Sequence, residues 1–395
     1  MTEHAWIDTP QALAAFAAVV RAAPWVALDT EGDSMFRYRE RVCLVQINAG
    51  GSLAVIDPIV LEADPAWPSS ALDPLKAALE DPAQPLYLHG GENDVGVLAR
   101  DYGIRCRGVY DSQQAAAFLG RPQTGYGALV LGELGVALDK SWTTYDWRTR
   151  PLHPEALAYA LADVVHLPPL IERMRAAVAA AGLDEEVAIG CRAVEETTVH
   201  APGYDPAGLW RLKGLLDLNA AQQAMAMALY AWRDGAAKER DIPPGRILNG
   251  DLLVALARTQ PVAFGQLRSL GVHGRLLHEH GEAVIACVQQ AKAAPPEVPP
   301  RTRAREVEPV EELREEALKQ WRRQESEQRA VPMQVVMPAR ALEHIKRFGA
   351  GDLSAVPQFG PKRVARYAEA IQAACARAEA AAADGQRPPR RRHRR

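Results

Sequence analysis

VALDTEGDSM (residues 26–35) sets a strand-like apolar run, Val26-Ala27-Leu28, directly against Asp29-Thr30-Glu31. In a strand, residues i and i+2 point to the same face. Asp29 and Glu31 therefore project side by side, and each raises the pKa of the other. Two readings are open at this point. Either the strand surfaces into solvent here, or a cation lies between the carboxylates. Oxygen ligands of this kind suit Mg²⁺ or Mn²⁺.

The neighbouring sequence alternates short strands with helices. WVALD (25–29), RVCLVQIN (41–48), SLAVID (52–57) and PLYLHG (85–90) are short, apolar and bounded by polar residues or Gly, which predicts strands. Helical patterns cover 72–81, about 93–102, 112–119, 126–134 and 153–182. The pair Pro168-Pro169 interrupts the last of these. The combination predicts one α/β domain with a mixed sheet.

From about residue 207 the strand signals vanish and the chain becomes helical. An internal repeat runs through this part at a constant offset of 89 residues. LYAWRDGAAKERDIPPGRIL (229–248) aligns with LKQWRRQESEQRAVPMQVVM (318–337), so Trp232-Arg233 falls on Trp321-Arg322. LRSLG (267–271) falls on VPQFG (356–360). Trp232 and Trp321 each sit in an apolar helical frame and read as core residues. The segment 294–311, rich in Pro and charge, reads as a linker, and RPPRRRHRR (387–395) as part of a disordered basic tail.

Net charge is −3 over 395 residues but is divided unevenly. Residues 1–200 carry −12 and residues 201–395 carry +9. An acidic half can hold cations, and a basic half can meet polyanions. The five cysteines are scattered, without CxxC, and read as reduced thiols of a cytoplasmic protein. No apolar run is long enough to cross a bilayer, the N-terminus has no signal-peptide pattern, and no obligate protein partner is evident.

Two further stretches carry acids. In LHGGENDVGVL (88–98), Asp94 follows a strand and sits in the first turn of a helix. In YALADVV (159–165), Tyr159 and Asp163 are four apart and share a helix face. The pattern of Leu157, Leu161 and Val164 makes that face partly buried, so Asp163 needs a partner there. An Arg partner or a cap would also satisfy it.

D-x-E on a strand, an Asp opening a later helix, and Y-x-x-x-D on a helix together resemble the DEDDy class of 3′–5′ exonucleases. Five stretches narrow the resemblance to ribonuclease D over about residues 20–185: DTEGDSMFRYRERVCLVQI (29–47), HGGENDVGVLARDYG (89–103), YDSQQAAAFLG (110–120), DKSWTTYDWRTRPL (139–152) and YALADVVHL (159–167). The helical repeats resemble the HRDC domain, a small nucleic-acid-binding module. The sequence departs from many relatives at Gly32, where they carry a bulky apolar residue.

The resemblance implies a ribonuclease H-like exonuclease domain (1–205) and two all-α HRDC domains (206–293 and 312–380), the last followed by a tail over 381–395. It implies two-metal hydrolysis that releases 5′-mononucleotides from an RNA 3′ end. Asp29, Glu31, Asp94 and Asp163 would hold two Mg²⁺ or Mn²⁺ ions, and Tyr159 would orient or help deprotonate the attacking water, its ordinary pKa favouring the former. Precursors of tRNA, or other structured RNA, are the expected substrates. A DNA exonuclease and a non-catalytic RNA scaffold are the alternatives.

Weaker candidates for nucleic-acid contact are Lys140, Phe36, Arg37, Lys362 and Arg363. Lys140 reads equally as an ordinary exposed lysine. Lys362 and Arg363 follow Phe359-Gly360-Pro361 at a helix start, where backbone N–H groups and two cations could face a phosphate. A plain helix start is the other reading. Trp142, Tyr145 and Trp147 could stack on bases or pack the loop down. His89 reads as structural support rather than as a ligand. Removing 296–395 is expected to weaken RNA binding and to spare hydrolysis of short oligonucleotides.

Overall fold

The computed structural model describes residues 3–63, 71–199, 203–301 and 305–386. The basic stretch 387–395, the end of the expected tail, lies outside the described residues. Two compact units emerge. The first comprises Met1–Glu31, Val42–Val199 and Arg305–Arg395; the second comprises Gly32–Arg41 and His200–Ala304.

In the first unit, six strands form one mixed sheet in the order β1-β4-β3-β2-β5-β6. They are β1 (Ala5–Ile7), β2 (Val26–Gly32), β3 (Val42–Ala49), β4 (Ser52–Ile56), β5 (Leu86–Leu88) and β6 (Val109–Asp111). β4 runs antiparallel to β3, whereas β1 pairs with β4, β2 with β5, and β5 with β6 in parallel. The helices around the sheet are α1 (Pro10–Ala22), α2 (Pro58–Ala63), α3 (Asp73–Leu79), α4 (Glu92–Tyr102), α5 (Ser112–Phe118), α6 (Tyr126–Leu134), α7 (Pro154–Val165), α8 (Leu167–Ala181) and α9 (Asp184–Glu195).

Side-chain alternation on β2 decides where the acids go. Val26 and Leu28 enter the main core with Leu13 of α1, Leu75 of α3 and Leu98 of α4. Ala27 faces the other way, into a cluster with Tyr87, Val164, Leu167 and Ile171. Asp29 and Glu31 continue the Ala27 face, which is the face α7 and α8 cover. The strand thus aims both carboxylates at the helix that carries Asp163.

α7 and α8 replace the single predicted helix, with the break at His166. Pro168 has no N–H, so the Val164 carbonyl loses the donor a continuous helix would supply. Asn48 Nδ2 on β3 donates to that carbonyl instead, at 3.0 Å.

The repeat is as regular in three dimensions as in sequence. In the second unit α10 (Ala220–Arg240), α11 (Pro244–Ile247), α12 (Gly250–Thr259), α13 (Phe264–Ser269) and α14 (Gly274–Ala293) form one bundle. In the first unit α15 (Pro309–Arg329), α16 (Met333–Val336), α17 (Ala339–Phe348) and α18 (Pro361–Ala383) form the other. α10, α11 and α12 match α15, α16 and α17 residue for residue at the offset of 89. α15 starts at Pro309, inside the predicted linker, because proline is tolerated in a helix's first turn. Trp232 and Trp321 are partly buried against the cores of their respective bundles.

Candidate active site

The sheet and α7 bring three of the predicted acids together. Asp29, Glu31 and Asp163 each present a ligand oxygen, and these oxygens lie within 4.8 Å of one another. With Tyr159, Tyr126 and His89 they line a cavity of about 230 Å³. Asp94 is buried beside them, and its Oδ1 accepts a hydrogen bond from Thr30 N at 3.1 Å and another from the Thr30 hydroxyl. Thr30, the residue between the two strand acids, thus ties the later acid to the first strand.

Four crowded carboxylates resist ionisation. Burial, then the charges of Asp94, Asp163 and Glu31, holds Asp29 well above the carboxylate range. Burial and the charges of Asp163 and Asp94 raise Glu31 to about 8. Burial and Asp94 raise Asp163 to about 7. Burial raises Asp94 to about 6, with the Thr30 hydroxyl opposing it. The donor set is all oxygen and all anionic, which fits a hard divalent cation, and such a cation removes the repulsion the cluster otherwise carries. No neighbouring Arg takes up Asp163's charge among the described residues.

Tyr159 is half-buried, with its ring 6.2 Å from that of Trp147. Burial and the charges of Asp163, Glu31 and Asp29 push its hydroxyl well above the ordinary tyrosine range. Beside uncompensated carboxylates the hydroxyl keeps its proton, which suits it to orient a water. Trp142, Tyr145 and Trp147 form a chain of edge-on rings, and Trp142 stacks on His153, which caps α7. Trp147 is buried. The aromatics pack the loop down onto α7, the second of the two readings above.

Several supporting residues carry no local sequence signal. Tyr126 donates to the carbonyl of Asp163 at 2.8 Å and lies 3.1 Å from that of Ala162. Asp111 is fully buried and accepts from Gly91 N, Gln113 N and Gln114 N. It caps α5 and fixes the residue that opens α4, three positions before Asp94. Arg150 joins buried Asp57 at 2.5 Å and bonds the carbonyls of Cys43 and Trp147. Only an extended search for buried polar residues bounding helices could have suggested them.

Asn48 gives a direct test of this support. Asn48→Ala leaves the Val164 carbonyl buried without a donor, at a cost of about 1–3 kcal/mol. It also frees the last turn of α7. The expected result is a lower melting temperature and a lower kcat with little change in KM. An unchanged kcat would show that Asp163 does not depend on this bond.

The weaker candidates fare differently. Lys140 is exposed, its Cε 3.4 Å from where a Cβ on Gly127 would stand, one residue after Tyr126. Phe36 and Arg37 are engaged within the second unit. Arg246 lies 5.0 Å over the Phe36 ring, Arg37 pairs with Asp241 at 3.9 Å, and the adjacent Tyr38 donates to Asp234 at 2.7 Å. Phe36 and Arg37, both partly buried, thus pack against the first helical bundle. A Cβ on Gly32 would stand 3.2 Å from the Arg41 carbonyl, a tight contact that a larger residue would have to relieve by a small backbone shift.

Lys362 and Arg363 are corrected. Arg363 is 1% exposed and donates to the carbonyls of Val335, Phe359, Gln358 and Gln334. Lys362 N donates to Glu185 at 3.0 Å, and its Nζ pairs with Glu186 at 2.9 Å and reaches the Gly182 carbonyl. The start of α18 does bind an anion, as helix N-termini do. That anion is the acidic first turn of α9, not a phosphate.

Comparison with known proteins bears on the whole chain. A 3′–5′ exonuclease family matches residues 4–179, and the HRDC domain family matches 222–288 and 311–375. Ribonuclease D of Escherichia coli (strain K12) is 33% identical over 297 residues, covering 75% of this chain and 76% of that protein. Ribonuclease D of Acidiphilium cryptum is 31% identical over 308 residues, covering 77% and 76%. The crystal structure of Escherichia coli RNase D, described as an exoribonuclease involved in structured RNA processing, superimposes with a TM-score of 0.66. It is 29% identical and covers 95% of this chain and 99% of that one.

Proposed function

The chain belongs to the ribonuclease D family, and on that premise we propose that it is a 3′–5′ exoribonuclease trimming structured RNA such as tRNA precursors. The observation that carries the reading is the group of three oxygens from Asp29, Glu31 and Asp163 in a cavity also lined by Tyr159. Asp29, Glu31, Asp94 and Asp163 would hold two divalent cations, Mg²⁺ or Mn²⁺. When bound, the cations supply Lewis-acid stabilisation of the attacking and leaving oxygens.

The protein's own residues do the positioning. β2 holds Asp29 and Glu31 on one face, and α7 sets Asp163 and Tyr159 one turn apart. The Tyr159 hydroxyl, still protonated, donates or accepts one hydrogen bond to align the water in line with the scissile bond. Asn48 and Tyr126 fix the turn that carries Asp163. The cytoplasm is the proposed compartment, and no helix among the described residues is long and apolar enough to cross a membrane.

A 3′-extended tRNA incubated with the purified protein tests this. Stepwise shortening from the 3′ end is expected with Mg²⁺ or Mn²⁺, with 5′-mononucleotides as products, and it should stop on chelation. Cleavage that persists without divalent cation would overturn the metal assignment. Internal cuts, or no cleavage, would overturn the exonuclease reading.

A further inference from the structure

We propose that His89 binds a sugar hydroxyl of the nucleotide being removed, accepting its hydrogen bond at Nε2. The proposal rests on the exoribonuclease reading and assigns a substrate contact within the same cavity. His89 lines that cavity together with Asp29, Glu31, Tyr159 and Asp163.

The tautomer follows from the neighbours. Nδ1 lies 2.8 Å from Ser112 Oγ, and the Ser112 hydroxyl donates to the Leu88 carbonyl at 3.3 Å. A hydroxyl has one proton. With that proton on Leu88, Nδ1–H donates to Ser112, and this is the tautomer the proposal assigns. The Nε2 of a neutral ring is then an acceptor. Burial lowers the ring's pKa to about 4, which keeps it neutral at working pH. The Tyr126 ring, 5.1 Å away and tilted at 54°, packs against the imidazole. Nε2 has no hydrogen-bond partner among the described residues.

An acceptor facing this cavity selects its ligand by elimination. Phosphate oxygens are acceptors and would be disfavoured. Amino groups of bases are donors, but they differ from base to base, and stepwise trimming must accept every base. Sugar hydroxyls are donors present on every 3′-terminal nucleotide. RNA offers two, at the 2′ and 3′ positions, and DNA only the 3′ one. If the 2′-hydroxyl is the partner, His89 also sets the preference for RNA.

Three 5′-labelled oligoribonucleotides test this, ending in ribose, 2′-deoxyribose or 3′-deoxyribose. The full chain is assayed with Mn²⁺ for release of the first nucleotide, as wild type, His89→Ala and His89→Gln. The wild type is expected to lose about tenfold in kcat/KM when the bonded hydroxyl is deleted. His89→Ala should lose about the same on the all-ribose end and nothing more on that deoxy end. His89→Gln, which restores an acceptor, should regain part of the discrimination. The deoxy end that shows the coupling identifies the hydroxyl.

Loss of activity by His89→Ala to the same factor on all three ends would overturn the proposal and leave His89 a packing residue. His89→Gln and the wild-type comparison keep that outcome readable if the alanine variant folds poorly. A wild type that cleaves none of the three would overturn the exoribonuclease reading and the proposal with it. That outcome is distinct from cleavage without coupling.

Discussion

Asp163→Asn is expected to abolish cleavage of an RNA 3′ end, yet to raise the melting temperature of the metal-free protein at pH 8. Both effects come from the same crowding. The folded carboxylates titrate higher than the roughly 4 of unfolded ones, with Asp94 at about 6, Asp163 at about 7 and Glu31 at about 8. The folded state therefore holds protons the unfolded chain has already released. Its stability falls as pH rises from about 4 through these values, and Asp29, also held well above the carboxylate range, adds to the fall. Replacing Asp163 by neutral Asn removes one of the repelling charges and part of that penalty.

A bound divalent cation removes the penalty in the wild type by pairing with the charges. At about a hundred times its Kd it adds roughly 2.7 kcal/mol, or about 5–10 °C in melting temperature. The gain should be larger at pH 8 than at pH 5, where protons compete for the same oxygens. The Asp163→Asn variant should show little of it. Differential scanning calorimetry at the two pH values, with and without Mn²⁺, measures all of these. An Asp163→Asn protein less stable than wild type at pH 8 without metal would mean that the acids do not repel as argued. Cleavage at wild-type rates would remove Asp163 from the site.

Local periodicity made much of this legible. The i, i+2 rule placed Asp29 and Glu31 on one face, and the i, i+4 rule put Tyr159 with Asp163. The 89-residue repeat predicted two bundles, and the first three helices of each match residue for residue. β1 and β6 were not visible, because three residues show no alternation and each is defined only by a distant strand. Asn48, Tyr126 and Asp111 were not visible either. Each is an ordinary polar residue until a helix end from elsewhere in the chain is laid beside it. Arg363 misled for a physical reason: a basic residue beside a motif has the same chemistry whether it meets RNA or, as here, its own chain.

Arg363→Ala is expected to destabilise the protein by on the order of 3–5 kcal/mol while leaving the salt dependence of RNA binding unchanged. The guanidinium serves four carbonyls from two segments, Gln334-Val335 and Gln358-Phe359, and burial lowers its pKa. It lies 5.9 Å from the Phe118 ring of α5, and neighbouring Val335 is buried in the core that contains the sheet. Alanine leaves two buried and two part-buried acceptors without this donor and a cavity beside them. Lysine has no planar fork and satisfies fewer of them, so Arg363→Lys should recover only part of the loss. A phosphate contact predicts the opposite pattern: near-wild-type stability, weaker binding, and a salt slope reduced by about one. Urea melts paired with binding titrations over a range of salt separate the two. The same packing revises the expectation for removal of 296–395. That cut strips α16 and α18 from α5 and α9, takes Val335 out of the core, uncovers apolar surface around Phe118, and should cost the catalytic domain stability as well as RNA affinity.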